Sequence, residues 1–171
     1  MRETLRQEAE SLIDLCRQRG LTIVTAESCT GGRLAAYLTA IPGASDVLER
    51  GFVTYSNAAK AEMLSVEPRM IETLGAVSKE VALAMAAGAL LHSRGAISAA
   101  ITGVAGPGGG TPDKPVGLVH FAVAKRKAMS AGQIDYSAIH HAEQFGDIGR
   151  DLVQEESVAV ALKLLRQAVD L

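Results

Sequence analysis

The chain has 171 residues, 48% of them hydrophobic and 21% charged, with a formal net charge of −2. We expect residues 1–171 to form a single globular domain, because this length and composition suffice for one buried core. The charge balance and an aromatic share of 4% argue against nucleic-acid binding. No stretch reaches the ~20 apolar residues of a membrane span, and Cys16 and Cys29 lack C-x-x-C spacing. We therefore expect a reduced, cytoplasmic protein without membrane contact.

The first third of the chain alternates between predicted helices and strands. Apolar residues at helical spacing predict a helix over about residues 2–19, which Gly20 ends. Residues 21–26 predict a short strand that is buried on both faces, and an alanine- and leucine-rich helix follows over about residues 31–40. The alternating segment 51–56 predicts a second strand.

Three helices are predicted in the middle of the chain. Asn57 can cap a short helix that runs through Leu64. Pro68 begins another helical segment, which stops near Gly75. Ser78 caps a longer alanine-rich helix that ends before residue 95.

The last part contains a buried strand, a long loop, two strands and a helix. The strand covers 96–103, and the two later strands, 116–124 and 133–142, are expected to pair as an antiparallel hairpin. The final helix runs from about residue 147 or 150 to 171. The order of elements predicts an α/β fold, namely a three-layer α/β/α domain with a mixed parallel and antiparallel sheet.

The corner "TAESCTGG", residues 25–32, is the first candidate site. Loops after the carboxyl ends of strands are where open α/β sheets usually bind ligands. Gly31 and Gly32 would let a ligand approach the backbone, whose amides could stabilise a phosphate or an oxyanion. The alternative is a plain helix cap, with Ser28 or Thr30 capping and Cys29 buried.

The second candidate is the loop "GVAGPGGGTPDKPVG", residues 103–117. It has neither the Gly-Lys-Ser/Thr of a P-loop nor the following helix of a dinucleotide fold. Its glycines can still present a cradle of amide hydrogens to a ligand. The alternative is a flexible crossover.

Lys60 and Ser45 form the third candidate. Lys60 should lie in the first turn of its helix, where the helix dipole opposes a positive charge. If the amine is also partly buried, its pKa falls and it becomes available as a general base. Ser45 follows a tight turn, and a lysine can activate a serine in place of histidine. The alternative for Lys60 is a solvated surface position.

The four histidines predict no metal site. The neighbours His140 and His141 should point to opposite faces of a strand, and His120 and His92 have no evident second ligand. We expect four unrelated histidines and no metal.

Four segments in order carry a family resemblance: "TAESCTGG", "IPGASDVLERGFVTYSNAAKAEML", "GAVSKEVALAMA" and "ITGVAGPGGGTPDKPVG". Together they resemble the C-terminal domain of the competence/damage-inducible protein CinA, over roughly residues 5–170. That family also occurs alone as nicotinamide mononucleotide deamidase, and the chain resembles this stand-alone form. The resemblance implies hydrolysis of the carboxamide of nicotinamide mononucleotide, in pyridine-nucleotide salvage, by an enzyme that needs no metal or organic cofactor. We also expect a homo-oligomer, because apolar helix faces such as "ALAMAAGALL" indicate close helix packing, either within one chain or between subunits.

Carried over by position, the resemblance implies Ser45 as nucleophile and Lys60 as base. Ser28 is the main rival nucleophile and Cys29 a third candidate. Thr102 would assist by hydrogen bonding to the amide or its oxyanion, and Tyr55 would lie near the base and help to position it. The residues expected to bind the substrate are Thr30, Gly31, Gly32, Asn57, Gly103, Gly106, Gly108 and Arg150.

The sequence departs from the family pattern at position 154. The family tends to have two arginines near the start of the last helix, and here Arg150 is followed by Gln154, so one expected anion contact is missing. The competing function is a non-catalytic nucleotide-binding module associated with competence or the DNA-damage response. Such a module would keep the glycine loops and tolerate the loss of Lys60.

Overall fold

The computed structural model describes residues 2–130 and 133–170. The helices are α1 (Glu3–Arg19), α2 (Arg33–Thr39), α3 (Asn57–Leu64), α4 (Pro68–Leu74), α5 (Lys79–Leu91) and α6 (Arg150–Asp170). The strands are β1 (Ile23–Glu27), β2 (Leu48–Val53), β3 (Ile97–Gly103), β4 (Leu118–Ser130) and β5 (Gln133–Gln144). A short 3₁₀ helix, Ala44–Asp46, precedes β2.

The strands form one mixed sheet in the order β2-β1-β3-β4-β5. β1 pairs in parallel with both β2 and β3. β4 is antiparallel to β3 and to β5. The mixed α/β sheet and the C-terminal hairpin predicted from the sequence are therefore confirmed.

Each face of the sheet is covered by a separate hydrophobic core. On one face Ile23 and Ile101 pack with residues of α1, α2 and α6. On the other, Ala26 and Ala100 pack with residues of α3, α4 and α5. Alternate residues of β1 and β3 thus enter opposite cores, as the two-residue period of a strand requires. This arrangement confirms the expected three layers.

The helix ends follow local chemistry, with one correction. Gly20 ends α1 in a left-handed conformation at φ +62°, and Ser78 caps α5 by accepting from the amide of Val81. The expectation that Asn57 caps α3 is wrong. Ser56 is the cap, since its side chain accepts from the amide of Ala59.

Two boundaries differ from the sequence prediction. β2 begins three residues earlier than the predicted 51–56 and ends at Val53, because its pairing with β1 sets its length. α2 begins at Arg33 rather than Gly31, since both glycines have positive φ and form the turn before it.

Candidate active site

A polar cluster lies at the sheet edge where β1 and β3 end. Ser28 follows β1, and its backbone amide donates to the carbonyl of Ile101, 2.9 Å away. Since Glu27 pairs with Ile101, the next residues along the two strands, Ser28 and Thr102, are neighbours on one face. The first residues of this cluster thus come from two parallel strands, as is usual for ligand sites in α/β proteins.

Lys60 reaches this edge from α3. Its side chain is 1% exposed. Nζ lies 2.9 Å from Oγ of Ser28 and 2.8 Å from the backbone carbonyl of Thr54. The predicted lysine therefore has a serine hydroxyl as direct partner, and that serine is Ser28.

Burial lowers the pKa of the Lys60 amine, and a smaller opposing effect comes from Cys29. A neutral amine has two N–H donors and one lone pair, which suits these contacts. It can donate to the Thr54 carbonyl while its lone pair accepts the hydroxyl proton of Ser28. This pairing aligns the hydroxyl for deprotonation.

The Thr102 hydroxyl donates to the carbonyl of Ala76 at 2.8 Å. The hydroxyl proton is used in this bond, and the lone pairs of the Thr102 oxygen remain free to accept a hydrogen bond. Thr102 can accept from a substrate N–H, such as that of a carboxamide. The expectation that it donates to an oxyanion is not supported by this geometry.

A cleft of about 300 Å³ opens above Ser28 and Lys60. Its other lining residues are Cys29, Tyr55, Asn57, Ala76, Val77, Thr102, Gly103, Val104, Ala105, Gly106, Gly108, Gly109 and Arg150. The walls are the backbone at residues 28–29, the start of α3, the 103–109 loop and the start of α6. Most of the predicted site residues are thus brought together.

Arg150 bridges two sides of the cleft mouth. Its guanidinium donates to the carbonyl of Gly106 at 2.9 Å and to the hydroxyl of Tyr55. Tyr55 is 59% exposed, and it does not contact Lys60 through a hydrogen bond. Tyr55 therefore belongs to the entrance of the cleft instead of positioning the base.

Backbone amides are available as donors beside Ser28. Cys29, Ala105 and Gly106 line the cleft, and within residues 2–130 and 133–170 their amides donate to no other residue. The amide that follows a nucleophilic serine is a common oxyanion donor. The sequence pointed to Gly31 and Gly32 for this role and missed Cys29.

Ser45 is the main correction. It is exposed, in the 3₁₀ helix before β2, and it lines a separate depression with Thr39, Ile41, Pro42, Gly43, Ala44 and Leu48. Because β1 and β2 are parallel, Ser45 lies where the strands begin and Ser28 where they end. Five residues of strand separate these edges by about 15 Å. The predicted Ser45–Lys60 pair is therefore not formed.

The amides of Gly31 and Gly32 are also not available to a substrate. Gly31 donates to the carbonyl of Ser28 at 3.0 Å, and Gly32 donates to the carboxylate of Glu27 at 3.1 Å. Glu27 is fully buried and also accepts from Leu34 and Ala35. It satisfies the N-terminus of α2 in place of an external anion. The sequence signal for this capping role is a glutamate that shortly precedes the Gly31-Gly32 pair at the start of a helix.

Three further expectations have mixed outcomes. Thr30 is buried, outside the cleft lining, so its predicted contact with substrate has no support. Burial raises the pKa of the Cys29 thiol to about 12, which disfavours the thiolate that would act as nucleophile. His120 and His140 are not unrelated, because their ring nitrogens lie 3.0 Å apart. Within the described residues, no group of three or more potential metal ligands occurs.

Comparison with known proteins identifies the family of this chain. The family model described as the CinA C-terminal domain matches residues 5–169. The chain belongs to the CinA C-terminal domain family. A CinA-like protein of Chlorobium luteolum is 48% identical over 131 residues, which are 77% of this chain and 30% of that protein. A CinA-like protein of Mycobacterium avium is 49% identical over 148 residues, 86% of this chain and 33% of that protein.

Solved structures of the CinA family have the same fold. The competence/damage inducible protein CihA of Agrobacterium tumefaciens superposes with a TM-score of 0.92 and 44% identity, covering 100% of this chain and 98% of that one. A CinA superfamily protein of Escherichia coli superposes with a TM-score of 0.84 and 34% identity, covering 98% of this chain and 93% of that one. The chain spans about a third of the length of the curated CinA relatives that it matches.

In the part of the chain that the structure describes, no helix has the length and apolar character of a membrane span.

Proposed function

We propose that this protein is an amidohydrolase that converts nicotinamide mononucleotide to nicotinic acid mononucleotide and ammonia. The observation that carries the proposal is the buried Lys60 amine 2.9 Å from the Ser28 hydroxyl, at the base of an open cleft. A serine paired with a neutral lysine is an arrangement for acyl transfer. Within the CinA family, the resemblance to stand-alone deamidases supplies the substrate class.

In the first step, neutral Lys60 takes the hydroxyl proton as Ser28 Oγ attacks the carboxamide carbon. The C–O bond forms and the carbonyl oxygen becomes an oxyanion. The Cys29 amide, next to the nucleophile, is the donor we assign to that oxyanion. Losing one such donor costs about 10²–10³ in rate. Because protonated Lys60 cannot act as base, activity should rise with pH through the lowered pKa of Lys60.

In the second step, the C–N bond breaks and ammonia leaves with the proton that Lys60 holds. Thr102, whose proton is committed to Ala76, is suited to accept from the carboxamide NH₂ and to orient it. Water then attacks the acyl-enzyme while Lys60 takes its proton. The Ser28–carbonyl bond breaks, Lys60 returns the proton to Ser28 Oγ, and the acid product is released and ionises to the carboxylate by losing its proton to solvent.

Arg150 and Asn57 at the cleft mouth are assigned to the nucleotide portion. An arginine guanidinium pairs well with phosphate oxygens. The backbone around Gly106 and Gly108 lies on the same side and can approach the ligand closely, because neither residue has a side chain. Carboxamide and phosphate would thus be bound at opposite ends of the cleft.

The proposal can be tested by measuring ammonia release from nicotinamide mononucleotide. The proteins to compare are the wild type, Ser28→Ala and Ser45→Ala. We expect Ser28→Ala to lose at least about 10³-fold in kcat, because it removes the attacking oxygen. Ser45→Ala, the matched control on the far edge of the sheet, should keep wild-type turnover. Mass spectrometry of a quenched reaction should show the acyl adduct on Ser28. Full activity of Ser28→Ala would refute the assignment.

The competing function is a nucleotide-binding module without catalysis, linked to competence or DNA damage. It is favoured by the names of the relatives, which are CinA-like or competence/damage inducible. A module of that kind would bind the nucleotide unchanged and release no ammonia. It would also retain binding after Lys60→Met, whereas that change should abolish deamidation.

A further inference from the structure

Gln154 holds the backbone next to Ser28. Its side chain is buried, and Nε2 donates to the carbonyl of Cys29 at 2.6 Å. Gln154 is outside the lining of the cleft, so it does not replace an arginine contact with the substrate. Within the described residues, the Gln154 side chain makes a single hydrogen bond, which is to this corner of the backbone.

The corner that Gln154 contacts has few other restraints. The amide of Ser28 is bound to β3 through Ile101, and the turn closes with Gly31 donating to Ser28. Between these two bonds lies Cys29, whose amide donates to no other residue in the described part of the chain. This amide shares a planar peptide group with the Ser28 carbonyl, which accepts from Gly31. The bond from Gln154 to the Cys29 carbonyl fixes the next peptide group, so the two bonds together set the backbone on both sides of Cys29.

The same helix holds the opposite wall. Arg150, one turn before Gln154, donates to the carbonyl of Gly106 in the 103–109 loop. Residues four apart share a helix face, so the first two turns of α6 contact both walls of the cleft. The separation of the two sets of free backbone amides thus depends on α6.

We propose that Gln154 is a positioning residue that orients the Cys29 amide toward the reacting carbonyl group. The inference rests on the proposed amidohydrolase function. A neutral amide donor suits the task, because a carboxylate at this position would repel the Cys29 carbonyl and an apolar side chain would leave it without a partner. Misplacing a catalytic group by about 1 Å can cost about 10²-fold in rate.

Gln154→Met and Gln154→Glu test this role, since both keep the volume and remove the donor. Ser157→Ala is the matched control, because Ser157 is also buried in α6 and its hydroxyl donates within that helix, to the carbonyl of Val153. We expect kcat on nicotinamide mononucleotide to fall by about 10- to 100-fold in the Gln154 variants with KM within about 3-fold. Ser157→Ala should keep wild-type kcat.

Hydrogen–deuterium exchange of the intact protein supplies a readout independent of turnover. Faster exchange confined to residues 28–31 in either folded Gln154 variant supports the positioning role. Unchanged kcat with unchanged exchange there overturns it, and so does faster exchange over the whole chain, which indicates a purely structural role. If the wild type releases no ammonia, the amidohydrolase function fails, and exchange at 28–31 alone still decides whether Gln154 restrains this corner.

Discussion

At the scale of single residues, the site depends on three hydrogen-bonding arrangements. The Thr102 hydroxyl donates to Ala76, the Glu27 carboxylate accepts from three backbone amides, and Ser28 Oγ lies 2.9 Å from an amine whose pKa burial lowers. Each assignment follows from a hydrogen bond and not from residue type. Several side-chain hydroxyls occur in these loops, yet among the residues described only that of Ser28 is hydrogen-bonded to the Lys60 amine.

Burial of Lys60 should make stability depend on pH. Its pKa is lower in the folded state than the 10.5 of the free side chain, so the unfolded chain binds more protons between the two values. Folding stability then increases as pH rises through that interval and levels off above 10.5. We expect the wild type to gain stability relative to Lys60→Met between pH 7 and pH 10.5, in urea unfolding.

Lys163→Met, which removes an exposed amine on α6, is the control for this measurement. A difference between wild type and Lys60→Met that stays constant over the whole range would contradict a lowered pKa in the folded protein.

At the scale of secondary-structure elements, the positions of α2 and α3 depend on close backbone contacts. Gly88 of α5 lies against the end of α3, where an added Cβ would be 1.9 Å from the carbonyl oxygen of Leu64. Glu27 ends β1 and satisfies the first amides of α2. Both contacts are needed to place the elements that carry Lys60 and Ser28.

Gly88→Ala should destabilise the protein although alanine favours helices by about 1 kcal/mol over glycine. The methyl group would collide with the Leu64 carbonyl and displace α3, at a cost of about 1–3 kcal/mol. Urea unfolding measures the loss, and deamidation should fall with it because α3 carries Lys60. Gly108→Ala, where an added Cβ meets no atom within 4 Å, should leave stability nearly unchanged.

Glu27→Gln should lower the free energy of unfolding by about 1–3 kcal/mol. The amide that replaces the carboxylate has one acceptor oxygen and brings an NH₂ group against backbone donors. Thermal unfolding would measure the effect. Exposed Glu62→Gln is the control, and equal melting temperatures for the two variants would contradict the capping role.

At the scale of the whole molecule, a polar network joins three helices on the α1 side of the sheet. Tyr37 of α2 accepts from the Arg2 amide at 2.7 Å and donates to Glu155 of α6. Arg33 bonds both Glu155 and Asp151. Because α6 also holds Cys29 and Gly106, this network connects the packing of the helices to the cleft.

Tyr37→Phe should destabilise the fold by about 1–2 kcal/mol, since it removes both bonds and leaves the neighbouring groups without a partner. The free energy of unfolding in urea measures it. Tyr136→Phe, which changes a tyrosine that is 40% exposed, is the comparison. If both variants lose the same amount, the network does not join the helices energetically.

The sequence by itself determined the local features of this protein. The end of α1 at Gly20, the Ser78 cap, the hairpin of β4 and β5 and the glycine-rich loop all follow from residues adjacent in the chain. A hydroxyl-bearing corner after β1 and a lysine near the start of α3 were evident in the same way. Near neighbours set these preferences, so they can be predicted without knowing the fold.

Only the tertiary structure decided which of these groups meet. The hydrogen bond between Lys60 and Ser28 joins residues 32 positions apart in the sequence. The corresponding separations are 26 for Thr102 with Ala76 and 125 for Gln154 with Cys29. Ser45 is closer to Lys60 along the chain than Ser28 is, but the parallel register of β1 and β2 puts it at the other edge of the sheet. Such contacts depend on strand order and helix packing, which no local pattern encodes.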